Sequence, residues 1–248
     1  GSVTGARGDL YMQVYISNKE IAEIAEGLVR QFSGGSPPEM VDIDSIAAHL
    51  KLTVVYDSIA EEERDKIAFL SDGIYPLKVY RDAKATGVVF PKDTIVLDDF
   101  LLRPGEETHR RFSLAHEVGH KIIYLADPSQ QTACFDTPYD CEKRYSLDEL
   151  KERMTLNEAQ ANAMAAAILM PRFMIDAALQ KYHRGKPIPI YGESILLPKT
   201  KAALVRVAQM LGVSHSALLI QLRKYKLLEQ HDVTEYISGH LAKGGGIP

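Results

Sequence analysis

The chain has 248 residues, of which 46% are hydrophobic and 25% are charged, and its formal net charge is −4. These values lie in the ordinary globular range, so we expect a packed core within one large domain or a compact pair. The slightly acidic balance argues against a nucleic-acid binder, for which a basic domain is typical.

Neither a membrane segment nor a secretory signal is expected. No uninterrupted apolar run approaches the roughly 20 residues that span a bilayer, and the N-terminus lacks a basic start followed by an apolar core. Two cysteines, Cys134 and Cys141, do not make a disulfide framework. Free reduced thiols are the favoured interpretation, with a redox pair or extra metal ligands as alternatives. We therefore predict a cytoplasmic protein.

The first elements along the chain are two helices and a strand. Ser17 and Glu20 have the spacing of a capping box, and apolar residues at helical spacing follow them until about Phe32. A short helix is predicted over Ile43–Leu50. The β-branched residues of Leu52–Tyr56 then predict a strand.

Further strands are expected before residue 98, and helices follow them. Gly87–Phe90 and Thr94–Leu97 flank Pro91-Lys92-Asp93, a pattern that predicts a hairpin. Beyond Pro104-Gly105 the pattern is mainly helical. The predicted helices span residues 106–124, 147–170, 172–182, 200–211 and 215–227.

The separation of strands from helices predicts the fold class. Alternation along the chain would favour a doubly wound sheet, whereas segregation favours an α+β fold with a small, mostly antiparallel sheet. We predict a flexible or tag-derived N-terminus at 1–14 and a main domain at 15–198. A C-terminal helical hairpin at 199–230, packed on that domain, and a tail at 231–248 complete the chain.

The segment from His116 to His120 carries the strongest chemical signal. Two histidines four residues apart lie on one face of a helix, one turn from each other, and can take two corners of a tetrahedral zinc site. Glu117 lies beside them, where a carboxylate suits a general base acting on water. Gly119, costly in a helix interior, would let another segment approach closely.

A catalytic zinc normally takes three protein ligands, so a third ligand is expected from a later helix. Glu158 opens an alanine-rich stretch whose small side chains allow close packing against the His116 helix. Spacing alone favours Glu158, and Glu142, Glu149 and Glu152 stay open as competitors. Asn162, one turn beyond Glu158, could orient a ligand histidine through its other ring nitrogen.

Together these residues resemble the ImmA/IrrE family of metallopeptidases. The resemblance rests on the block from Arg111 to His120, followed by Glu158, Ala161 and Asn162 running into the apolar stretch 165–171. Weaker similarity extends back to Asp42 and forward to about residue 228. The two blocks in this order are far more specific than the first block alone.

The resemblance implies a zincin-like fold and an intracellular endopeptidase. It implies that His116, His120 and Glu158 bind one zinc ion, with manganese as an alternative, and that Glu117 is the catalytic base. Members of this family commonly cleave, or help to remove, a helix-turn-helix repressor of a mobile element or a stress regulon. The implied partner is therefore such a repressor, and the implied role is that of an antirepressor protease.

Substrate binding and oxyanion stabilisation are less defined by the sequence. A peptide could lie antiparallel to an exposed strand, for which Thr94–Leu97 is the best candidate. A partner for the oxyanion is expected besides the metal. Four residues are candidates, and the sequence does not choose among them: Tyr124, Tyr139, Tyr182 and His183. The segment 126–156 is longer than is usual in the family and could carry specificity or cover the cleft.

Two other functional classes compete with a peptidase. Val207–Ser214 has the pattern of a helix, a tight turn and a capped helix, as in DNA-binding proteins. Leu219 and Ile220 would face the bases, however, and Gln221 takes a normally apolar position, so a packed hairpin is favoured and direct nucleic-acid binding is not expected. Nearby basic residues keep the DNA alternative open: Lys201, Arg206, Arg223, Lys224 and Lys226. The second rival is a protein that binds a repressor without cutting it.

Overall fold

The computed structural model of the chain describes residues 15–32, 40–63, 66–126 and 156–241. Several predictions lie outside these ranges: those on the N-terminus 1–14, on the segment around Cys134 and Cys141, on Tyr139, and on Glu142, Glu149 and Glu152.

Eight α-helices and seven strands occur in the described ranges. The helices are α1 (Asn18–Phe32), α2 (Ile43–His49), α3 (Glu107–Ala126), α4 (Leu156–Leu169), α5 (Arg172–His183), α6 (Pro198–Leu211), α7 (His215–Lys224) and α8 (Val233–Tyr236). The strands are β1 (Thr53–Asp57), β2 (Ala68–Leu70), β3 (Leu77–Arg81), β4 (Lys84–Val88), β5 (Thr94–Asp98), β6 (Ile188–Tyr191) and β7 (Leu228–His231). Short 3-10 helices cover Glu61–Glu63 and Asp99–Leu102, and a π-helix covers Ile237–Leu241.

The predicted capping box begins α1. The Ser17 backbone N–H donates to Glu20 Oε2 at 2.8 Å, and the Glu20 backbone N–H donates to Ser17 Oγ at 3.3 Å. The helix then buries Ile21, Ala25 and Val29, which recur every four residues and so lie on one face. That face packs against α4.

Strand β5 is the centre of the main sheet, whose order is β1-β5-β2. β5 pairs parallel with β1 and antiparallel with β2. Thr94, Ile95, Val96 and Leu97 are all buried. The predicted hairpin between 87–90 and 94–97 is therefore wrong, and so is the suggestion that Thr94–Leu97 is an exposed strand for substrate. A continuous apolar run of this kind is typical of a strand that is covered on both faces.

The hairpin in this region joins β3 to β4 instead. Its two-residue turn is Asp82-Ala83, with φ angles of +50° and +62°. Turns of this type favour Asn-Gly or Asp-Gly, so an Asp-Ala turn carries a weak sequence signal. Pro91-Lys92-Asp93 changes the direction of the chain, but the strands on its two sides pair with other partners.

The helices of the second half pack onto one apolar core that includes residues from α1 through α7. Helix α3 packs against β2, β5 and α4, and it therefore lies between the sheet and the alanine-rich helix. α6 ends at Gly212 in the left-handed region, with φ of +66°, and Ser214 caps α7. A parallel pair, β6 with β7, was not predicted.

The architecture confirms the predicted α+β class. In the first half of the chain, two of the three strand pairings are antiparallel, as expected, whereas the unpredicted β6–β7 pair is parallel. Within the described ranges, no single helix is long and apolar enough to cross a membrane. Two bent helix pairs, α4–α5 and α6–α7, meet that requirement only when their lengths and compositions are combined.

Candidate metal centre

The close approach of α3 and α4 builds the candidate site. A Cβ atom on Gly119 would lie 2.7 Å from the Ala161 carbonyl oxygen and 3.2 Å from the Ala161 Cα. Real Cβ atoms essentially never come that close, so only glycine fits at this crossing. The predicted reasons for Gly119 and for the small side chains of α4 are therefore confirmed. Close packing brings the first turn of α4 beside the histidines of α3.

Three predicted ligands meet at this crossing: His116, His120 and Glu158. The Nε2 atoms of the two histidines are 3.0 Å apart. Glu158 Oε2 lies 3.2 Å from His116 Nε2, and Glu158 Oε1 lies 3.2 Å from His120 Nε2. In the part of the chain that the structure describes, these residues are the one group of three acidic, histidine or cysteine side chains with the spacing of metal ligands.

The donor set fits a small divalent cation. Neighbouring corners of a tetrahedral site are about 3.3 Å apart when each metal–ligand bond is about 2.0 Å. The distances among the three side chains, 3.0 to 3.2 Å, come close to that separation. Two imidazole nitrogens and one carboxylate are ligands that zinc accepts, and a set of three leaves a fourth position for a reactant.

Asn162 fixes the orientation of His116. The distance from His116 Nδ1 to Asn162 Oδ1 is 2.8 Å. With the amide oxygen as acceptor, Nδ1 carries the proton and donates, which leaves the Nε2 lone pair directed at the candidate site. The contact matches the role predicted for Asn162.

Glu117 is buried beside the three ligands, with 4% of its surface exposed. Strand β2 packs against the helix that carries Glu117, and the backbone N–H of Leu70 in β2 slightly lowers the pKa of its carboxyl. The other oxygen, Oε2, accepts no hydrogen bond from the residues that the structure describes. Burial raises the pKa of Glu117, against the lowering influence of His120 and His116. A raised pKa makes a carboxylate a stronger proton acceptor near neutral pH.

The ligand side chains also perturb one another. Burial tends to raise the pKa of Glu158, but hydrogen bonds from His116 and His120 outweigh it and lower the pKa to about 2. Burial tends to lower the pKa of His116, and the hydrogen bond to Glu158 together with the Glu117 charge raises it. The glutamate is thus held as a carboxylate, which is the form that binds a metal.

Of the described candidates for oxyanion stabilisation, Tyr124 lies next to one of the three candidate ligands. The ring of Tyr124 stacks near His120, with ring centroids 6.1 Å apart. His183 Nε2 lies 3.2 Å from the Pro187 carbonyl oxygen, and Lys181 lies over the Tyr182 ring. Tyr124 is therefore favoured by position over Tyr182 and His183.

The C-terminal hairpin packs into the molecule. Gln221 is buried, and Leu219 and Ile220 are half-buried. Arg111 of α3 donates to the Gly212 carbonyl oxygen at 3.1 Å and to the Val41 carbonyl oxygen at 2.7 Å. The buried Arg111 side chain thus links the turn between α6 and α7 to the helix that carries the histidines.

Sequence reasoning missed the contribution of β2. This strand has three residues, too few to give a periodic signal. It nevertheless packs against α3, the helix that carries Glu117. Lys121 Nζ also binds Asp93 Oδ1 at 2.8 Å, which ties the turn before β5 to α3. Both contacts depend on tertiary packing and leave no motif in the sequence.

Comparison with known proteins gives one family. Residues 103–223 match the model of the family Peptidase_M78, described as the IrrE N-terminal-like domain. The match begins just before α3 and ends in α7, so it includes all three candidate ligands and Glu117. No curated protein matches the chain.

Proposed function

We propose that this chain, which belongs to the IrrE-like metallopeptidase family through its residues 103–223, is a zinc-dependent endopeptidase that cleaves a regulatory protein. The observation that carries the proposal is the meeting of His116, His120 and Glu158 with the buried Glu117 beside them. In this proposal 15–198 is the catalytic domain and 199–230 is a hairpin packed on it.

Each residue takes a role that its surroundings support. His116, His120 and Glu158 would hold the ion, with Asn162 orienting His116. Zinc is the metal we propose, because a set of two imidazoles and one carboxylate is a common zinc site; manganese is the alternative. When bound, the ion would supply Lewis acidity toward the scissile carbonyl and toward water.

Glu117 would move the proton in the reaction. Its Oε2 accepts no hydrogen bond from the described residues, and its carboxylate is buried beside the three proposed ligands. A carboxylate with a raised pKa can take a proton from the attacking water and pass it to the leaving amine. Tyr124 is the side chain we propose for oxyanion stabilisation.

Strand β2 would hold the substrate as an added strand. Asp98 N–H donates to the Ile67 carbonyl oxygen and Ser71 N–H donates to the Thr94 carbonyl oxygen, so these residues face β5. Alternate residues of a strand direct their backbone groups to opposite edges, so Ala68 and Leu70 face away from β5. A peptide at that edge would bind through main-chain hydrogen bonds next to Glu117.

An extended segment of a helix-turn-helix repressor is the substrate we propose. The basis is the family resemblance, in which such repressors are the usual targets, and the action would take place in the cytoplasm. Addition to a strand edge requires an unfolded or linker segment, which a repressor with separate DNA-binding and oligomerisation parts would offer.

The test combines metal analysis with a cleavage assay on a helix-turn-helix repressor from the same organism. Wild-type protein is expected to contain one zinc per chain and to cut the repressor at one site. Glu117→Gln is expected to keep the zinc and to lose more than 10³-fold of the rate, whereas His116→Ala is expected to lose the metal. Cleavage by Glu117→Gln at the wild-type rate would refute the mechanism.

The alternative is a regulator that acts without cutting. Exposed basic side chains of the C-terminal hairpin favour a DNA-binding form of this alternative, among them Lys201, Arg206 and Lys226. If Glu117→Gln relieves repression as well as the wild type does, the protein acts by sequestration. A salt-dependent mobility shift with duplex DNA would instead identify a DNA-binding role.

A further inference from the structure

We infer that Ile74, Tyr75 and Val89 form an apolar subsite for substrate side chains on the N-terminal side of the scissile bond. We call these three residues the loop patch. The inference rests on the proposed peptidase function and adds to it a specificity that the metal centre alone does not provide.

The loop patch is exposed to solvent, and hydrogen bonds hold the loop that carries two of its residues. Ile74, Tyr75 and Val89 expose 71%, 49% and 52% of their surfaces. The loop before β3 is fixed by Asp72, whose Oδ1 accepts the backbone N–H groups of Ile74 at 2.8 Å and Tyr75 at 2.9 Å. Exposed apolar side chains on a fixed loop are prepared to bind without a further ordering cost.

The two segments that carry these side chains are neighbours. Ser71 Oγ donates to the Phe90 carbonyl oxygen at 2.7 Å, and Leu77 pairs with Val88 across the β3–β4 hairpin. These two contacts thus hold the loop against the segment that follows β4, and Val89 lies between them in the sequence. No charged residue of the chain lies within Ile74–Leu77 or Val88–Phe90.

The contacts of β2 indicate where the loop patch lies relative to the candidate metal centre. Leu70 ends β2, which packs against α3, and Ser71, the next residue, accepts a hydrogen bond from the Asp93 backbone N–H at 3.0 Å. Asp93 in turn binds Lys121 of α3. The chain therefore leads from the strand that packs against α3 into the loop patch within a few residues, and in this proposal the patch continues the edge that a substrate would occupy.

The direction of the substrate follows from strand pairing. In an antiparallel pair, residues that come earlier in one strand lie opposite residues that come later in the other. A peptide antiparallel to β2, with its scissile bond at Glu117, has its preceding residues at the Ser71 end. At about 3.3 Å per residue, side chains roughly two to four positions before the scissile bond reach the loop patch.

A second copy of this chain is a poorer occupant than a substrate. The loop patch exposes on the order of 350 Å², whereas a stable protein interface needs roughly 800 Å² from each partner. Two or three apolar side chains of an extended peptide match that smaller area. Their burial also gives the moderate selectivity that is typical of peptidase subsites.

Cleavage of a degenerate peptide library by the zinc-loaded full chain is the first test. We expect the wild type to prefer Leu, Ile or Phe two to four residues before the cut. Ile74→Ser/Tyr75→Ser is expected to reduce kcat/KM roughly tenfold for such peptides and to leave peptides with Ala there unchanged. Val89→Ser is expected to act in the same direction. Ile237→Ser is the control, because Ile237 is an apolar residue with about the same exposure as Val89, at 51%. It should leave kcat/KM unchanged for all of these peptides.

A binding measurement separates this inference from the peptidase proposal. Two fluorescein-labelled, alanine-rich decapeptides, one with Leu-Leu and one with Ser-Ser, are titrated with zinc-loaded Glu117→Gln. We expect the Leu-Leu peptide to bind roughly tenfold more tightly, and Ile74→Ser/Tyr75→Ser in the same background to remove the difference. If the wild type cuts nothing but this difference holds, the cleavage proposal fails and the subsite stands.

Four results would overturn the inference. The first is an unchanged cleavage preference in Ile74→Ser/Tyr75→Ser. The second is a change confined to residues after the cut. The third is equal affinity for the two peptides in the binding measurement. The fourth is a dimer by light scattering that the double substitution dissociates without altering selectivity, which would make the loop patch an interface between copies.

Discussion

Replacement of Gly119 by alanine tests the packing on which the metal centre depends. The added Cβ would lie 2.7 Å from the Ala161 carbonyl oxygen, whereas ordinary contacts begin at 3.4 Å, so α3 and α4 must separate by about 0.7 Å. Glu158 and Asn162 are on α4, and both histidines are on α3. The separation therefore acts directly on the distances among the proposed ligands.

Two effects on stability oppose each other. Overpacking of a tight contact costs about 1–3 kcal/mol, and the better helix propensity of alanine offsets about 1 kcal/mol of that. The free energy of unfolding without metal should thus fall by about 0–2 kcal/mol. Zinc affinity should fall more clearly, by about 10–100-fold, as for other changes that misplace ligands.

The assay is zinc titration against a competing chelator, with thermal unfolding of the metal-free protein beside it. Gly27→Ala is the matched control, because Gly27 is a glycine of α1 with no atom within 4 Å of an added Cβ. It should raise the stability by about 1 kcal/mol, or roughly 2–4 °C, and leave zinc affinity unchanged. If Gly119→Ala behaved like Gly27→Ala in both measurements, the argument from close helix packing would be refuted.

Three further predictions concern other contacts. Asn162→Ala should weaken zinc binding about tenfold, because it removes the acceptor for His116 Nδ1. Asn162→Asp should retain most of the affinity, and equal losses for the two variants in chelator competition would contradict this. Arg111→Met should lower the free energy of unfolding by about 2–3 kcal/mol in urea, because two buried carbonyl oxygens lose their donor; an unchanged midpoint would count against the linking role. The hydrogen bond from Arg81 lowers the pKa of Asp57 in the folded protein. Its stabilising effect is therefore complete above about pH 3.9, the pKa of Asp57 in the unfolded chain, and it is lost as the pH falls through the lower pKa of the folded state. Metal-free Asp57→Asn should therefore be about 1 kcal/mol less stable than the wild type at pH 7 and closer to it at pH 3, and a constant difference would show that charge is not the cause.

The sequence predicted those parts of the fold that depend on local periodicity. The α1 cap, the helix around His116 and the alanine-rich helix each carry their signal within a few residues. The meeting of Glu158 with the two histidines was also anticipated, although spacing left competitors open until the resemblance was added. Their function as metal ligands stays a prediction.

Strand pairing was the part that the sequence did not determine. The apolar run at 94–97 is compatible with a hairpin and with a central strand, because periodicity does not identify partners. β1 lies 37 or more residues before β5, and β6 and β7 also pair over a long separation. Such pairings are decided by burial of the whole sheet face, which no local pattern records.

The contact between Arg111 and Gly212 has a consequence for the order of folding. The donor and the acceptor are 101 residues apart in sequence, and the acceptor lies near the C-terminal end of the family match. During synthesis, all the proposed ligands emerge before Gly212 does, so the hydrogen bond from Arg111 to Gly212 forms only after the turn between α6 and α7 has been made. The packing of α3 is therefore completed late, and a nascent chain that already contains His116, His120 and Glu158 still lacks one buried contact of the helix that carries the two histidines.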